Sequence, residues 1–392
     1  MLQRARSTRL HFLAVPALSV GLFLSSVSTA SFNAKGCRNV QLSAFRFVSP
    51  SAGWAQGSCA SQPAILRTTD GGKTWVDVTS LGLRPFLMRT LATEFLDTKH
   101  VWVAGQASAL KDVVFRTSDG GKNWQRTLLR VADSRFDAPA LAQLYFLNER
   151  EGWLGTAYLA MNQNIDQLYQ TSNGGATWVR VDSGLPISGL LGFQTPMLGY
   201  GAASIAGEGL NLVYRSLDGG RHWNRYLLPL PPAYRRVHVA VDFRHPQLQG
   251  TTSATLPTVI EPLSLRSHPS LIVYRTKDSG LRWSRGAGLN LPYGGSSTSW
   301  TSKGRSLVPE VTVSFVDLNE GWAATARGLY RTLDAGETWA KIETNISLRH
   351  GYGLDFVSAR VGFVLVWNKN SQSLMRTSDG GKTWATEEQM PG

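Results

Sequence analysis

Cysteine and histidine are scarce in this chain of 392 residues, which holds two cysteines and seven histidines. The histidines are scattered, and neither residue type shows the spacing that a zinc site uses. No metal and no cofactor is therefore expected. Long apolar runs are lacking too. The one candidate, from Phe12 to about Leu24, is shorter than the roughly 20 residues that cross a bilayer and contains Pro16. Arg4, Arg6 and Arg9 precede it, and the small residues Ser28 and Ala30 follow. That pattern predicts a secretory signal peptide over 1–30, cut after Ala30, and an exported mature chain, peripheral to a membrane at most. Cys37 does not read as a lipidation site, because Lys35 lies just before Gly36 and the apolar run ends well upstream. Lysine is sparse, with 10 against 30 arginines; the formal charge is +13, or +10 without the three signal-peptide arginines. The chain has only 11 glutamates, and no carboxylate pair of the glycosidase kind stands out.

What is present is a repeat. The phrase "RTTDGGKTW" at 67–75 returns as "RTSDGGKTW" at 376–384, and five further copies end at Trp124, Trp178, Trp223, Trp283 and Trp339. The acidic or amide position falls at Asp70, Asp119, Asn173, Asp218, Asp278, Asp334 and Asp379. A period of roughly 40 to 50 residues suits one four-stranded propeller blade. Each copy follows a short alternating strand, a polar turn and a second strand opening on Gly-aromatic, as in "LYFLNEREGWLGT". These are strands A and B; the phrase supplies strand C, a Gly-rich hairpin and the start of strand D. The prediction is an all-β, monomeric, seven-bladed β-propeller of four-stranded antiparallel blades. It spans 31–392, with blades at about 40–79, 88–128, 139–182, 187–228, 236–286, 308–343 and 350–386. Closing the ring leaves only short, protected edges.

The phrase itself reads as framework. A short carboxylate or amide at the hairpin accepts turn N–H groups, so Asn173 can replace Asp. The first glycine becomes Ser279 or Ala335 in two copies, whereas the second is glycine in all seven. On that ground only the second position is expected to need a positive φ. Trp75, Trp124, Trp178, Trp223, Trp283, Trp339 and Trp384 are expected to bury their rings against neighbouring strands. Cys37 precedes strand A of blade 1 and Cys59 ends strand B, which predicts one disulfide in an oxidising compartment.

The seven phrases resemble Asp-box, or BNR, repeats, which lie on the hairpin between strands C and D. Such boxes occur in sialidases, xyloglucan hydrolases, sortilin-type receptors and the lumenal photosystem II stability and assembly factors. One propeller, an export signal and degenerate boxes such as "YRTKDSGLRW" are most similar to the last group. That resemblance implies a non-catalytic scaffold that holds membrane-protein assembly intermediates through an arginine-rich patch. It implies export to the periplasm, the extracellular space or the thylakoid lumen. A sialidase-like glycoside hydrolase is the alternative. Its substrate-binding arginines would be Arg89, Arg236 and Arg349, with Tyr352 and Glu310 as the reacting pair, but the Arg-Ile-Pro signature is represented only by "FRFVSP" around Arg46.

Topology places the binding surface. The A–B and C–D turns share one face, filled by the boxes, so length variation falls on the other. Blade 5 carries a long B–C insert over 251–270 and a long exit over 286–307. Loops on a rigid scaffold are where function concentrates. Of the 13 tryptophans, seven end boxes and Trp54, Trp102, Trp153 and Trp322 sit on strand B, which leaves Trp300 and Trp367 outside the repeat. Arg89, Arg235, Arg236, His238, Arg349 and His350 lie near the starts of strands A. With Trp300 and Trp367 they define a candidate site for an anionic protein complex or glycan on a basic loop face. No nucleic-acid motif accompanies the charge. The bland reading of these residues is an ordinary solvated surface.

Overall fold

The computed structural model describes residues 36–87, 90–108, 111–130, 139–158, 167–181, 189–203, 212–235, 237–262, 268–292, 299–301, 304–306, 311–349, 351–368 and 371–391. The expected signal peptide, Arg89, Arg236, Glu310 and His350 lie outside these residues. Blade 1 is representative: strands Val40–Phe47, Gly53–Cys59, Gln62–Thr68 and Val76–Asp77 form one antiparallel sheet in sequence order. Six further sheets repeat this order over 90–130, 139–181, 189–227, 239–290, 311–342 and 351–391. A two-stranded hairpin, Ser299–Thr301 with Gly304–Ser306, stands between blades 5 and 6. The protein is an all-β seven-bladed propeller. Among the described residues helix is confined to Arg84–Leu87 and a 3-10 turn at Pro232–Tyr234.

The core is divided among the blade interfaces. Trp54, Ile65, Val101 and Val113 cluster between blades 1 and 2, and Val40, Leu66, Phe363 and Leu374 between blades 1 and 7. A single sheet cannot bury both faces alone; stacked radially, each blade buries its faces on its neighbours. An aromatic relay runs through these interfaces. The strand B ring stacks on the Phe that ends strand A of the next blade: Trp102 on Phe146 at 3.6 Å, Trp153 on Phe193 at 3.7 Å, Trp322 on Phe356 at 3.9 Å. Phe363 of blade 7 closes the ring on Phe47 of blade 1 at 3.4 Å. The same indoles donate Nε1–H to the following blade's box: Trp102 to the Gly174 carbonyl at 2.8 Å, Trp153 to Gly219 at 3.2 Å, Trp322 to Gly380 at 3.1 Å.

Each box is a closed hydrogen-bonded turn. In blade 1, Asp70 accepts Thr74 N–H at 3.0 Å, Thr74 Oγ1–H at 2.6 Å and Thr68 Oγ1–H at 2.8 Å. In blade 3 the amide of Asn173 accepts Thr177 N–H at 2.9 Å through Oδ1 and donates through Nδ2 to Thr177 Oγ1 at 2.8 Å. The first box glycine, or its replacement, is also tied to the A–B turn of its own blade, as in Gly71 N–H to the Ser51 carbonyl at 2.8 Å and Ala335 N–H to Asn319 at 2.8 Å.

Two expectations need correction. Both box positions take a positive φ: Ser279 and Ala335 sit at 60° and 56°, like the glycines they replace. The second position keeps glycine because the preceding blade occupies the space of a side chain. A Cβ on Gly72, at φ +93°, would lie 2.4 Å from Leu374 Cδ2. The second correction concerns blade 5. Half of the expected B–C insert is strand B itself, Ser253–Pro262, buried along nearly its whole length; the shorter strand Gln247–Gln249 pairs with its start. Its Ser, Thr and Pro content reads as loop, yet β-branched Thr, Val and Ile suit a strand packed on both faces.

Candidate functional site

Among the described residues two places are the main candidates, beside a smaller cleft of about 540 Å³ on the box face between blades 1 and 2, lined by Arg67, Thr74 and Lys122. The first is the axis. Every strand A ends on Phe, and the residue before it faces the channel: Arg46, Glu94, Tyr145, Gly192, Asp242, Ser314 and Asp355. Four of them, Arg46, Tyr145, Ser314 and Asp355, reach across to the inner strand of the next blade. Asp355 Oδ2 accepts Phe47 N–H at 2.6 Å, Ser314 Oγ accepts Phe356 N–H at 2.8 Å, and Tyr145 donates its hydroxyl to the Phe193 carbonyl at 2.9 Å. Arg46 faces Glu94 at 3.8 Å, and Asp242 pairs with Arg244 at 2.8 Å. Burial pushes Glu94 up to about 7 against the pull of Arg46, and pushes Asp355 up to about 6 against Phe47 N–H and Arg46. Tyr145 rises to about 12 through burial and the charge of Glu94. Desolvation by the surrounding protein and the nearby Arg46 guanidinium push His245 down to about 4, although part of its side chain is exposed. Sequence reasoning missed this ring. Its signal is the residue before each strand-final Phe.

The second place is a cleft of about 740 Å³ where blades 7 and 1 meet. It opens on the face opposite the boxes, since the starts of strands A and the B–C turns frame it. Gly57 makes room for its wall: a Cβ there would fall 1.9 Å from the Gln41 carbonyl, beside the register shift between Leu42 and Ala44. Gln372 locks the junction, accepting Leu42 N–H at 2.9 Å through Oε1 and donating through Nε2 to the Leu42 carbonyl at 2.7 Å and to the Tyr352 hydroxyl. Burial raises Tyr352, opposed by hydrogen bonds from Gln372 and Trp367. Trp367 leans on Tyr352, ring centres 6.4 Å apart and planes 17° from parallel, and is 43% exposed. The Cys37–Cys59 disulfide, Cα atoms 5.6 Å apart, fixes the turn that carries Ser61 on the rim.

Of the expected binding residues, Trp367 lines this cleft. Arg235 and His238 are exposed on the same face beside the Pro232–Tyr234 turn, which Tyr234 anchors by donating its hydroxyl to the His268 carbonyl at 2.5 Å. Arg349 is exposed just before strand A of blade 7. Among the described residues no hydrogen bond or ion pair joins these three side chains, and no lysine or arginine lines the cleft. Trp300 lies on the hairpin between blades 5 and 6, its side chain outside the described residues. Among the described residues no group of three or more His, Cys, Asp or Glu could hold a metal ion, and no helix is long and apolar enough to cross a membrane.

Residues 37–181, the first three blades with the segment leading into them, match the family described as photosynthesis system II assembly factor YCF48. No curated protein matches the chain. Among solved structures, an uncharacterized protein from Listeria monocytogenes EGD-e is similar with a TM-score of 0.54 at 10% identity, over 92% of this chain and 97% of that one. A puromycin-hydrolyzing peptidase of Mycobacterium tuberculosis gives 0.54 at 10% identity over 94% of this chain and 56% of its own. A GH74 xyloglucanase from Xanthomonas campestris gives 0.35 at 12% identity, over 90% and 64%. These likenesses speak to the fold alone. The chain is thus an Asp-box seven-bladed propeller, similar over its first three blades to the photosystem II assembly factor family.

Proposed function

We propose that this protein is an exported, non-catalytic scaffold that holds a partner protein on the face opposite the boxes, in the manner of an assembly factor for a membrane-protein complex. The observation that carries the reading is the contrast between the faces. On one, every box is closed on its own hydrogen bonds and tied to an A–B turn. The other presents the exposed side chains of Arg235 and His238, beside the Pro232–Tyr234 turn, and of Arg349, just before strand A of blade 7. The match of residues 37–181 to the assembly factor family supports the same assignment. The non-catalytic part rests on the axis, where Asp355 and Tyr145 hold backbone groups of the next blade and Glu94 faces Arg46.

The test immobilises the mature protein and passes over it detergent-solubilised membranes of the source organism. A defined membrane-protein complex should be retained at low salt and released as salt rises, because exposed charges are screened beyond about 10 Å at 0.1 M. The triple variant Arg235→Glu, His238→Glu, Arg349→Glu should lose it at unchanged melting temperature. Undiminished capture by the triple variant, or hydrolysis of glycans by the wild type, overturns the reading.

A further inference from the structure

We propose that the cleft between blades 7 and 1 is a binding site for a neutral carbohydrate chain, with the exposed face of Trp367 as the platform on which a sugar ring stacks. This site is separate from the cationic positions invoked for the partner protein. Three properties of the cleft point to this ligand class. The first is its volume, about 740 Å³, within the roughly 300–1,000 Å³ of small-ligand sites. The second is the kind of polar group in its walls: the amide of Gln56 and the hydroxyls of Ser58 and Ser61, with no carboxylate, ammonium or guanidinium among the described lining residues. An anionic ligand would find no counter-charge among them. A purely apolar one would strip water from the Gln56 amide N–H groups and the Ser58 and Ser61 hydroxyls, which costs about 1–3 kcal/mol for each such group. Sugar hydroxyls both donate and accept, and so match such a lining.

The third property is the aromatic pair. The C–H face of a pyranose is apolar while its edge is polar, and an aromatic ring whose face is open to solvent suits it. Trp367 is fixed before any ligand arrives. It faces Gln372 in the register of strands Gly362–Asn368 and Ser371–Thr377, leans on Tyr352, and bonds to that phenol, which Gln372 also holds. Gln56 is fixed in the same way. Its side-chain carbonyl accepts Thr93 Oγ1–H at 3.0 Å, so its amide N–H groups are the part directed to a ligand. Preorganised groups lose little freedom on binding.

The experiment titrates the mature protein with neutral oligosaccharides of the α- and β-glucan, xylan, mannan and chitin series, with sialyllactose and oligogalacturonate as anionic controls. Binding is read by tryptophan fluorescence and calorimetry. At least one neutral series should bind while the anionic controls do not. Trp367→Ala should weaken it at least tenfold, and Trp367→Tyr, which keeps a ring, should recover most of the affinity. Ser61→Asp, at a φ of 65° that Asp tolerates, places a charge on the rim and should also weaken binding, which keeps the test open if the Trp367 variant unfolds. Arg235→Glu with Arg349→Glu should leave sugar binding intact, and Trp367→Ala should leave partner capture intact, so the two readings fail separately. Absence of binding to every neutral series, unaltered affinity in Trp367→Ala, or preference for the anionic sugars overturns the proposal.

Discussion

At the level of single residues, the two box glycines look alike and do different work. Gly71 and Gly72 both have positive φ, 80° and 93°, but the nearest atom to a Cβ on Gly71 would be the Pro50 carbonyl oxygen at 3.2 Å, whereas one on Gly72 would strike Leu374 at 2.4 Å. Gly71→Ala therefore carries mainly the left-handed backbone cost of about 1 kcal/mol, and Ala335 shows that alanine is accommodated there. Gly72→Ala adds overpacking between blades, for a total of about 2–4 kcal/mol. Urea unfolding of both variants checks this; equal losses would show that backbone strain alone sets the pattern. Asn173 teaches a related lesson: the box needs an acceptor at Oδ1 for the turn N–H, and its second atom may accept or donate.

Among elements, the strand B tryptophans join neighbouring blades by two separable contacts. Trp153 stacks on Phe193 with planes 1° apart and donates to the Gly219 carbonyl. Trp153→Phe keeps the stack and loses the hydrogen bond, which should cost about 1 kcal/mol plus the smaller packing loss. Trp153→Ala loses both and should cost about 3–5 kcal/mol. Calorimetric melting separates the two, and similar losses would mean that the hydrogen bond carries the joint. Blade 5 shows what happens without this device. No tryptophan occupies the strand B position of blade 4; Tyr200 does, bonding to Gln194 at 3.0 Å and meeting the blade 5 box ring of Trp283 edge-on.

In the molecule as a whole, carboxylates fall into two opposed populations. On the axis, Glu94 and Asp355 have folded values near 7 and 6, above the ordinary 4.5 and 3.8. The folded state there binds protons more tightly than the unfolded chain, so their stabilisation is complete below about pH 4 and is lost as pH rises through 6 and 7. In the boxes, burial is the largest single influence on Asp218 and raises it, but the hydrogen bonds from His222 and Ser216 together outweigh it and bring it to about 2; Thr383 holds Asp379 at about 2. That contribution is present above pH 3.8 and lost as pH falls through 2. Thermal stability should therefore decline above pH 6.5, where Glu94 still titrates, while between pH 4 and 6.5 His245, held down near 4, acts against the axial carboxylates. Glu94→Gln should flatten the decline by on the order of 2 kcal/mol at pH 8. A melting profile unchanged by Glu94→Gln would show that Arg46 keeps the carboxylate ionised throughout.

The repeat alone determined the architecture. Seven in-phase boxes, five of them preceded by Phe-turn-Gly-aromatic, specify seven four-stranded blades, because hydrophobic alternation and turn chemistry are local and recur in the chain. The same recurrence made Trp367 visible as a residue the repeat does not use. Blade 5 was misread where local polarity and strand burial disagree, since Ser253–Pro262 carries loop-like residues that its neighbours bury. The axial ring and the cleft were decided only by tertiary structure. Arg46 meets Glu94 because blade 2 packs on blade 1, and Tyr352 and Gln372 meet Leu42 across 310 and 330 residues because the last blade docks on the first. Spacing along the chain records what each blade is, whereas ring closure sets which side chains face one another across the seam, and no local pattern encodes that.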